Sequence, residues 1–204
     1  MILFAMAFLV INWNRVSWIF NYQAIFGYAS EFFEKPVLIN AANENPSPLA
    51  LESATIAGEI SQKANGIEIP KLGLVDIPLV LNEKFTDSEV YRALDRGVVY
   101  YPGSALPGEN GQTYVLGHSA PPNWPKIKYQ WVFSKLEDLL PGDEIFVYYN
   151  NRKLTYIVTD TVFVHRGEEI PHPDLTKNHN VLVLISCWPP GKDIHRIAVM
   201  AEMK

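Results

Sequence analysis

The sequence predicts a mostly β domain, a closed or nearly closed barrel of short strands with one or two short helices, behind an apolar N-terminal stretch. Three observations predict it. From about residue 66 onward, short runs rich in Val, Ile, Leu and Tyr recur at strand length. Turn chemistry separates them at Pro107-Gly108-Glu109-Asn110-Gly111, Pro141-Gly142-Asp143, Asn150-Asn151 and Pro189-Pro190-Gly191. Helical signals are confined to two short stretches, and many short strands with few helices favour closure over an open sheet.

Composition bounds the rest. The chain has 204 residues, 48% of them apolar and 19% charged, enough for one domain with a sizeable core plus an appendage. A net charge of −5, with no basic stripe, argues against nucleic acid as a partner. The single cysteine, Cys187, cannot form an intramolecular disulfide, so a free thiol remains to be explained.

Residues 1–34 read as a membrane-anchor or interfacial helix. Met1 to Ile11 is an unbroken apolar run, and Trp13, Trp18, Tyr22 and Tyr28 suit an aromatic interfacial belt. Eleven helical residues reach about 17 Å, short of a hydrocarbon core of roughly 30 Å. The first positive charge, Arg15, follows the run, and neither a basic n-region nor an Ala-x-Ala site frames it. The expectation is that Met1 is not the native start and that the run ends a longer membrane helix; a helix packed on the domain is the alternative. Residues 35–65 form a linker, richest in Ala, Asn, Ser, Glu and Pro around Asn45-Pro46-Ser47-Pro48. The globular domain occupies residues 66–204.

Within it, Ile67-Glu68-Ile69-Pro70 alternates as a short strand. Leu74 to Leu81, interrupted by Pro78, predicts an edge strand or two short ones. Thr86-Asp87-Ser88-Glu89 is a capping box opening a helix to about Arg96, with Gly97 at C′. Val98 to Tyr101 and Thr113 to Gly117 are strands, the second ending at His118. Ser134 to Leu140 predicts a short helix. Glu144 to Tyr149 and Lys153 to Val164 are strands joined by Asn150-Asn151, a pair that tolerates the positive φ of a type I′ turn. Arg166 to Asn180 is a long polar loop.

The last hairpin carries the chemistry. Val181 to Ile185 is a buried strand ending at Ser186 and Cys187; Pro189-Pro190-Gly191 reverses the chain, and a second apolar strand runs from Ile194. Cys187 and Arg196 therefore sit at one rim of a sheet, and a cation near a thiol favours the thiolate. A lone cysteine is by itself more often a small buried hydrophobe. A histidine at a strand end, such as His118, is more often an ordinary packing residue than a catalyst.

Leu184-Ile185-Ser186-Cys187, then Trp188-Pro189-Pro190-Gly191, then Arg196 nine positions after the cysteine, resembles the active-site hairpin of bacterial sortases. In that family a Leu-x-Thr-Cys strand is followed nine or more residues later by an arginine. The match is to the subset with Cys-x-Pro-Pro-Gly before that arginine. Pro107 to Gly111 leading into Tyr114-Val115-Leu116-Gly117-His118 resembles the sortase stretch ending in Gly-His, 69 positions before the cysteine. Ile69-Pro70-Lys71-Leu72-Gly73, Gly97 to Gly103, and Phe133-Ser134-Lys135-Leu136 with Pro141-Gly142-Asp143 extend the likeness over roughly residues 66 to 204.

The resemblance implies an eight-stranded barrel and a membrane-anchored cysteine transpeptidase whose catalytic domain lies on the extracytoplasmic face. Cys187 would attack the threonine carbonyl of a Leu-Pro-x-Thr-Gly-like signal at the C-terminus of a secreted protein. His118 would protonate the leaving amine and later deprotonate the accepting amine, from the cell wall or another protein. Arg196 would hold substrate carbonyls or the oxyanion. Ser186 and Trp188 are weaker substrate-binding candidates. Ser186 stands where the family usually has threonine, and Val183 where a threonine is frequent. No Asp-Pro-Trp or Asp-Pro-Phe triplet precedes the domain, so the lid of pilin-polymerising sortases has no visible counterpart, which favours a surface-anchoring or general role.

No cofactor is expected. His165, His172 and His179 recur every seven residues, but in a loop without cysteine or paired carboxylates, which reads poorly as a metal site. His195 reads as a solvent residue. Glu168-Glu169 falls where some sortases bind calcium; two carboxylates fall short of six to eight oxygens, and calcium stays unassigned. Two other readings compete. An L,D-transpeptidase-like cysteine enzyme would resemble Ser-His-Gly-Cys at the nucleophile, which is absent. A catalytically inactive, membrane-tethered peptide-binding module would need none of Cys187, His118 and Arg196 together.

Overall fold

The structure is a computed structural model and describes residues 58–81, 86–165, 167–168, 170 and 180–204. The expected N-terminal helix and most of the expected linker lie outside the described residues. Among the described residues no helix is long and apolar enough to cross a membrane.

The described residues form nine strands and one α-helix: β1 (Glu59–Ile60), β2 (Gly66–Ile69), β3 (Leu74–Val80), α1 (Asp87–Leu94), β4 (Val98–Tyr100), β5 (Gly111–Leu116), β6 (Glu144–Tyr149), β7 (Arg152–His165), β8 (Asn180–Trp188) and β9 (His195–Met203). The sheet order is β1-β7-β6-β2-β3-β4-β5-β8-β9, and β9 returns to pair with β7. All strands but β1 thus close into an eight-stranded barrel; β1 is a short addition on the outside of β7. Closure leaves few edges to protect.

Alternation along each strand separates two apolar faces. Inward residues from every barrel strand, among them Ile67, Leu79, Val98, Val115, Val147, Tyr156, Leu184 and Val199, form the core. Phe133 and Leu136, from the connection between β5 and β6, join it. Burial pushes the Tyr156 phenol up to about 12, and its oxygen accepts the Gly108 N–H at 3.1 Å. Outward residues of β5, β8 and β9, including Tyr114, Val183, Ile185, Ala198 and Met200, form a second cluster with Val164 and Ile170.

Several local expectations match. Asn150 and Asn151 both have positive φ, 48° and 57°, as a type I′ turn requires. The capping box is present: the Glu89 carboxylate accepts from the Thr86 N–H at 2.8 Å and from its hydroxyl at 2.7 Å, which holds Glu89 below the usual carboxylate range.

Three expectations are corrected. Pro78 neither splits β3 nor places it at an edge. The ladder to β4 begins at Leu79, one residue past the proline, so no hydrogen bond is asked of the missing N–H. Gly97 is not a left-handed C′ residue; a Cβ there would stand 2.2 Å from the Pro78 carbonyl oxygen, so glycine permits the close entry into β4. The helix expected at 134–140 is only a 3₁₀ turn, Leu136–Asp138.

Candidate active site

The site is assembled where β5, β8 and β9 end together. β5 and β8 are parallel, with Leu116 opposite Ile185, and β8 and β9 are antiparallel, with Cys187 opposite Arg196. β8 runs further than the sequence suggests, through Cys187 to Trp188. Beyond β5, two residues continue alongside β8: the Gly117 N–H donates to the Ile185 carbonyl at 3.1 Å, and the Ser119 hydroxyl donates to the Cys187 carbonyl at 2.6 Å. His118 lies between those two ties, level with Cys187. Alternation from Leu116, Ile185 and Ala198 puts His118, Cys187 and Arg196 on the outer face, at one rim of the barrel.

Gly117 has a steric reason. A Cβ there would fall 2.3 Å from Cδ2 of Phe133, whose ring is buried in the core. Phe133 in turn donates its N–H to the His118 carbonyl at 2.9 Å, so the residue before the imidazole and the residue bearing it are both set by the core. The loop after His118 is tied to the turn after Cys187, where the Gly191 N–H donates to the Ser119 carbonyl at 3.2 Å.

His118 is half-buried, and loss of solvent pushes its imidazole below the ordinary histidine value, opposed by the negative charge of Asp95 just past α1. Asp95 itself is paired with Lys128. Cys187 is half-buried and its sulfur is in no disulfide. Arg196 is 4% exposed, and a cation so deeply placed requires a counterion. Asp193 supplies it: Oδ1 lies 2.5 Å from Arg196 Nη1, and the same nitrogen donates to the His195 carbonyl at 3.0 Å. The same Oδ1 accepts the Cys187 thiol at 3.7 Å. Sequence reasoning singled out neither Asp193 nor Asp95. Only the position of Asp193, three residues before Arg196 in the hairpin turn, was available as a signal.

The two weaker candidates, Ser186 and Trp188, are held by contacts within the barrel. Ser186 is 3% exposed and its hydroxyl donates to the Gly117 carbonyl at 2.7 Å, so it ties β8 to β5. Trp188 alternates to the face opposite Cys187, where it packs against the barrel core and on Phe163, ring centroids 4.7 Å apart. It closes the barrel end. His195 is not a lone solvent residue: it is half-buried and packs against His165, ring centroids 4.7 Å apart and planes tilted by 60°. Glu168 caps the turn after β7, accepting the His165 N–H at 2.7 Å. His172, His179 and Glu169 lie outside the described residues.

A thiol, an imidazole and a guanidinium on one rim can perform nucleophilic acyl transfer. Comparison with known proteins agrees in family. A family model described as Sortase domain matches residues 67–204. Sortase D of Bacillus subtilis (strain 168) is 26% identical over 149 residues, 73% of this chain and 66% of that protein, so the chain spans just under two thirds of this relative's length. Sortase C1 of Streptococcus agalactiae superposes with a TM-score of 0.55 at 26% identity, covering 69% of this chain and 66% of that one. A lid mutant of sortase A from Corynebacterium diphtheriae gives 0.55 at 25% identity, with 70% of each chain covered. With a domain match over most of its length and a barrel of the same architecture, the chain belongs to the sortase family.

Proposed function

We propose that this protein is a cysteine transpeptidase that anchors surface proteins. It cleaves an LPxTG-like C-terminal sorting signal and transfers the acyl group to an amine of the cell wall or of another protein. One observation carries the reading: Cys187 faces Arg196 across the β8–β9 ladder, while His118 lies level with Cys187 on the neighbouring parallel strand. His118 takes the proton of the Cys187 thiol, the thiolate adds to the threonine carbonyl, and electrons move onto its oxygen. Arg196, fixed and largely shielded from water, is placed to stabilise that oxyanion. As the intermediate collapses to a thioester, His118 gives its proton to the departing amine. In the second half the incoming amine attacks the thioester, and His118 takes its proton and passes it to the departing sulfur, so that Cys187 leaves as the thiol and the ring is neutral again.

The depressed basicity of His118 suits both roles, since a weakly basic imidazolium is a ready acid and the neutral ring is the resting base. The reaction as written uses no cofactor, and calcium remains without an assigned ligand set. The apolar N-terminal stretch supports tethering at the cell membrane with the catalytic domain outside. The aromatic cover at Trp188 and the tie made by Ser186 are structural in this reading.

The test is intact-mass analysis of the chain with an LPxTG-type peptide, with and without an added amine. The expected result is an acyl adduct on Cys187 that disappears when amine is supplied, with turnover abolished in Cys187→Ala. Arg196→Lys, which loses the planar fork, is expected to lower kcat by about 10²-fold or more. Peptide retention without any mass change, unaltered by Cys187→Ala, would identify a binding module instead.

A further inference from the structure

One oxygen, Oδ1 of Asp193, stands between the nucleophile and the guanidinium, 3.7 Å from Cys187 Sγ and 2.5 Å from Arg196 Nη1. A carbonyl carbon poised for attack lies about 3–3.5 Å from its nucleophile, and its oxygen, about 1.2 Å from that carbon and turned off the line of attack, lies about 3.6–4.0 Å from the nucleophile. An oxyanion donor sits about 2.7–3.1 Å from that oxygen. The Asp193 oxygen therefore occupies the place where the substrate oxygen must go. It is also held by the same groups, one donating S–H and one donating N–H.

Building on the site reading above, we propose that Asp193 is a further residue of the reaction, a built-in occupant of the substrate-oxygen position. It keeps Cys187 as a thiol and Arg196 neutralised until a peptide carbonyl displaces it. The contact to sulfur exists only while the sulfur carries its proton, because a thiolate against a carboxylate is a like-charge pair. Displacement removes the anion from the sulfur and returns the Arg196 charge to it, so binding of the carbonyl and ionisation of the nucleophile are coupled. Specificity follows: a ligand gains the thiolate only by presenting a carbonyl oxygen to Arg196.

Arg196 faces Cys187 from β9, and the exposed Lys192 lies in the hairpin turn that joins the two strands. His118 lies at the end of β5, with Asp95 and its partner Lys128 behind it. His165 on β7 and His195 on β9 pack against each other, their rings tilted by 60°, on the opposite face of the sheet.

The experiment is the pH dependence of Cys187 alkylation by iodoacetamide, read by intact mass on the full chain without peptide. Asp193→Asn is expected to lower the midpoint by about one unit, accelerating alkylation below it by up to about tenfold. The same variant is expected to lower KM for the sorting peptide severalfold. Asp193→Ala, read in the same way, carries the same expectation and guards against an amide that keeps the contact. An alkylation profile superimposable on wild type in both variants overturns the proposal. So does a fall in kcat/KM with alkylation unchanged, which would make Asp193 only a support for Arg196. Alkylation needs no turnover, so this outcome is separate from that of Cys187→Ala, whose persistence in turnover would sink the site reading itself.

Discussion

The two faces of β8 differ in what they are asked to do. Inward, Leu182 and Leu184 are fully buried among residues from every other barrel strand. Outward, Val183 and Ile185 are covered by the second cluster, and the same row then emerges at Cys187. β9 repeats the pattern, with Ile197 and Val199 inward and Ala198, then Arg196, outward. Strand periodicity thus assigns cohesion to one face and chemistry to the end of the other. The lesson is that stability and turnover should separate by parity along the same strand.

The sharpest test compares neighbours on opposite faces. Leu184→Ala removes a side chain with no solvent exposure and is expected to cost about 2–5 kcal/mol, measured by urea unfolding. Turnover per folded molecule should stay near wild type. Cys187→Ala should show the reverse, with turnover lost and stability changed by less than about 1 kcal/mol. Equal effects of both substitutions on both measurements would break the separation.

Gly117 sharpens the comparison, because there the two faces meet in one residue. Adding a methyl at 2.3 Å from the Phe133 ring overpacks the core and is expected to cost about 1–3 kcal/mol for Gly117→Ala. The ring can yield only by moving the backbone that hydrogen-bonds to His118, so kcat should fall more than a surface substitution of equal stability cost would produce. Kinetics beside an unfolding curve decide it; a stability loss with unchanged kcat would show that the imidazole is placed independently of the core.

The features legible in the sequence are those set by short stretches of chain. The apolar run into Cys187, the Asn150-Asn151 turn, the Thr86–Glu89 capping box and the Gly-His strand end each depend on neighbours a few residues away. The likeness to sortases then supplied the barrel closure that local pattern only suggested. What stayed hidden depends on distant contacts. Gly97 reads as a helix stop from its position after α1, yet its reason is the Pro78 carbonyl. Ser186 reads as a substrate-binding candidate beside the cysteine, yet its hydroxyl donates to the carbonyl of Gly117, 69 residues earlier. Asp193 is an ordinary turn carboxylate until the hairpin brings its oxygen to both sulfur and guanidinium.

The smallest expected effect concerns His118, which sits on the reactive face but partly out of water. Its folded imidazole titrates below the ordinary value of 6.5, chiefly because burial disfavours the cation, with Asp95 opposing. The unfolded chain therefore binds more protons than the folded one as pH falls through 6.5, and linkage makes stability decline in that direction. The contribution is fully present above 6.5 and is lost progressively below it, levelling once the folded imidazole also protonates. His118→Gln removes this slope while carboxylates and the other histidines titrate as before. The difference between the urea midpoints of wild type and variant, followed from neutral to mildly acidic pH, is thus expected to shift against wild type on acidification. A difference that moves the other way would mean that Asp95 outweighs burial, so that the imidazole rests as the cation and enters the reaction already as the acid.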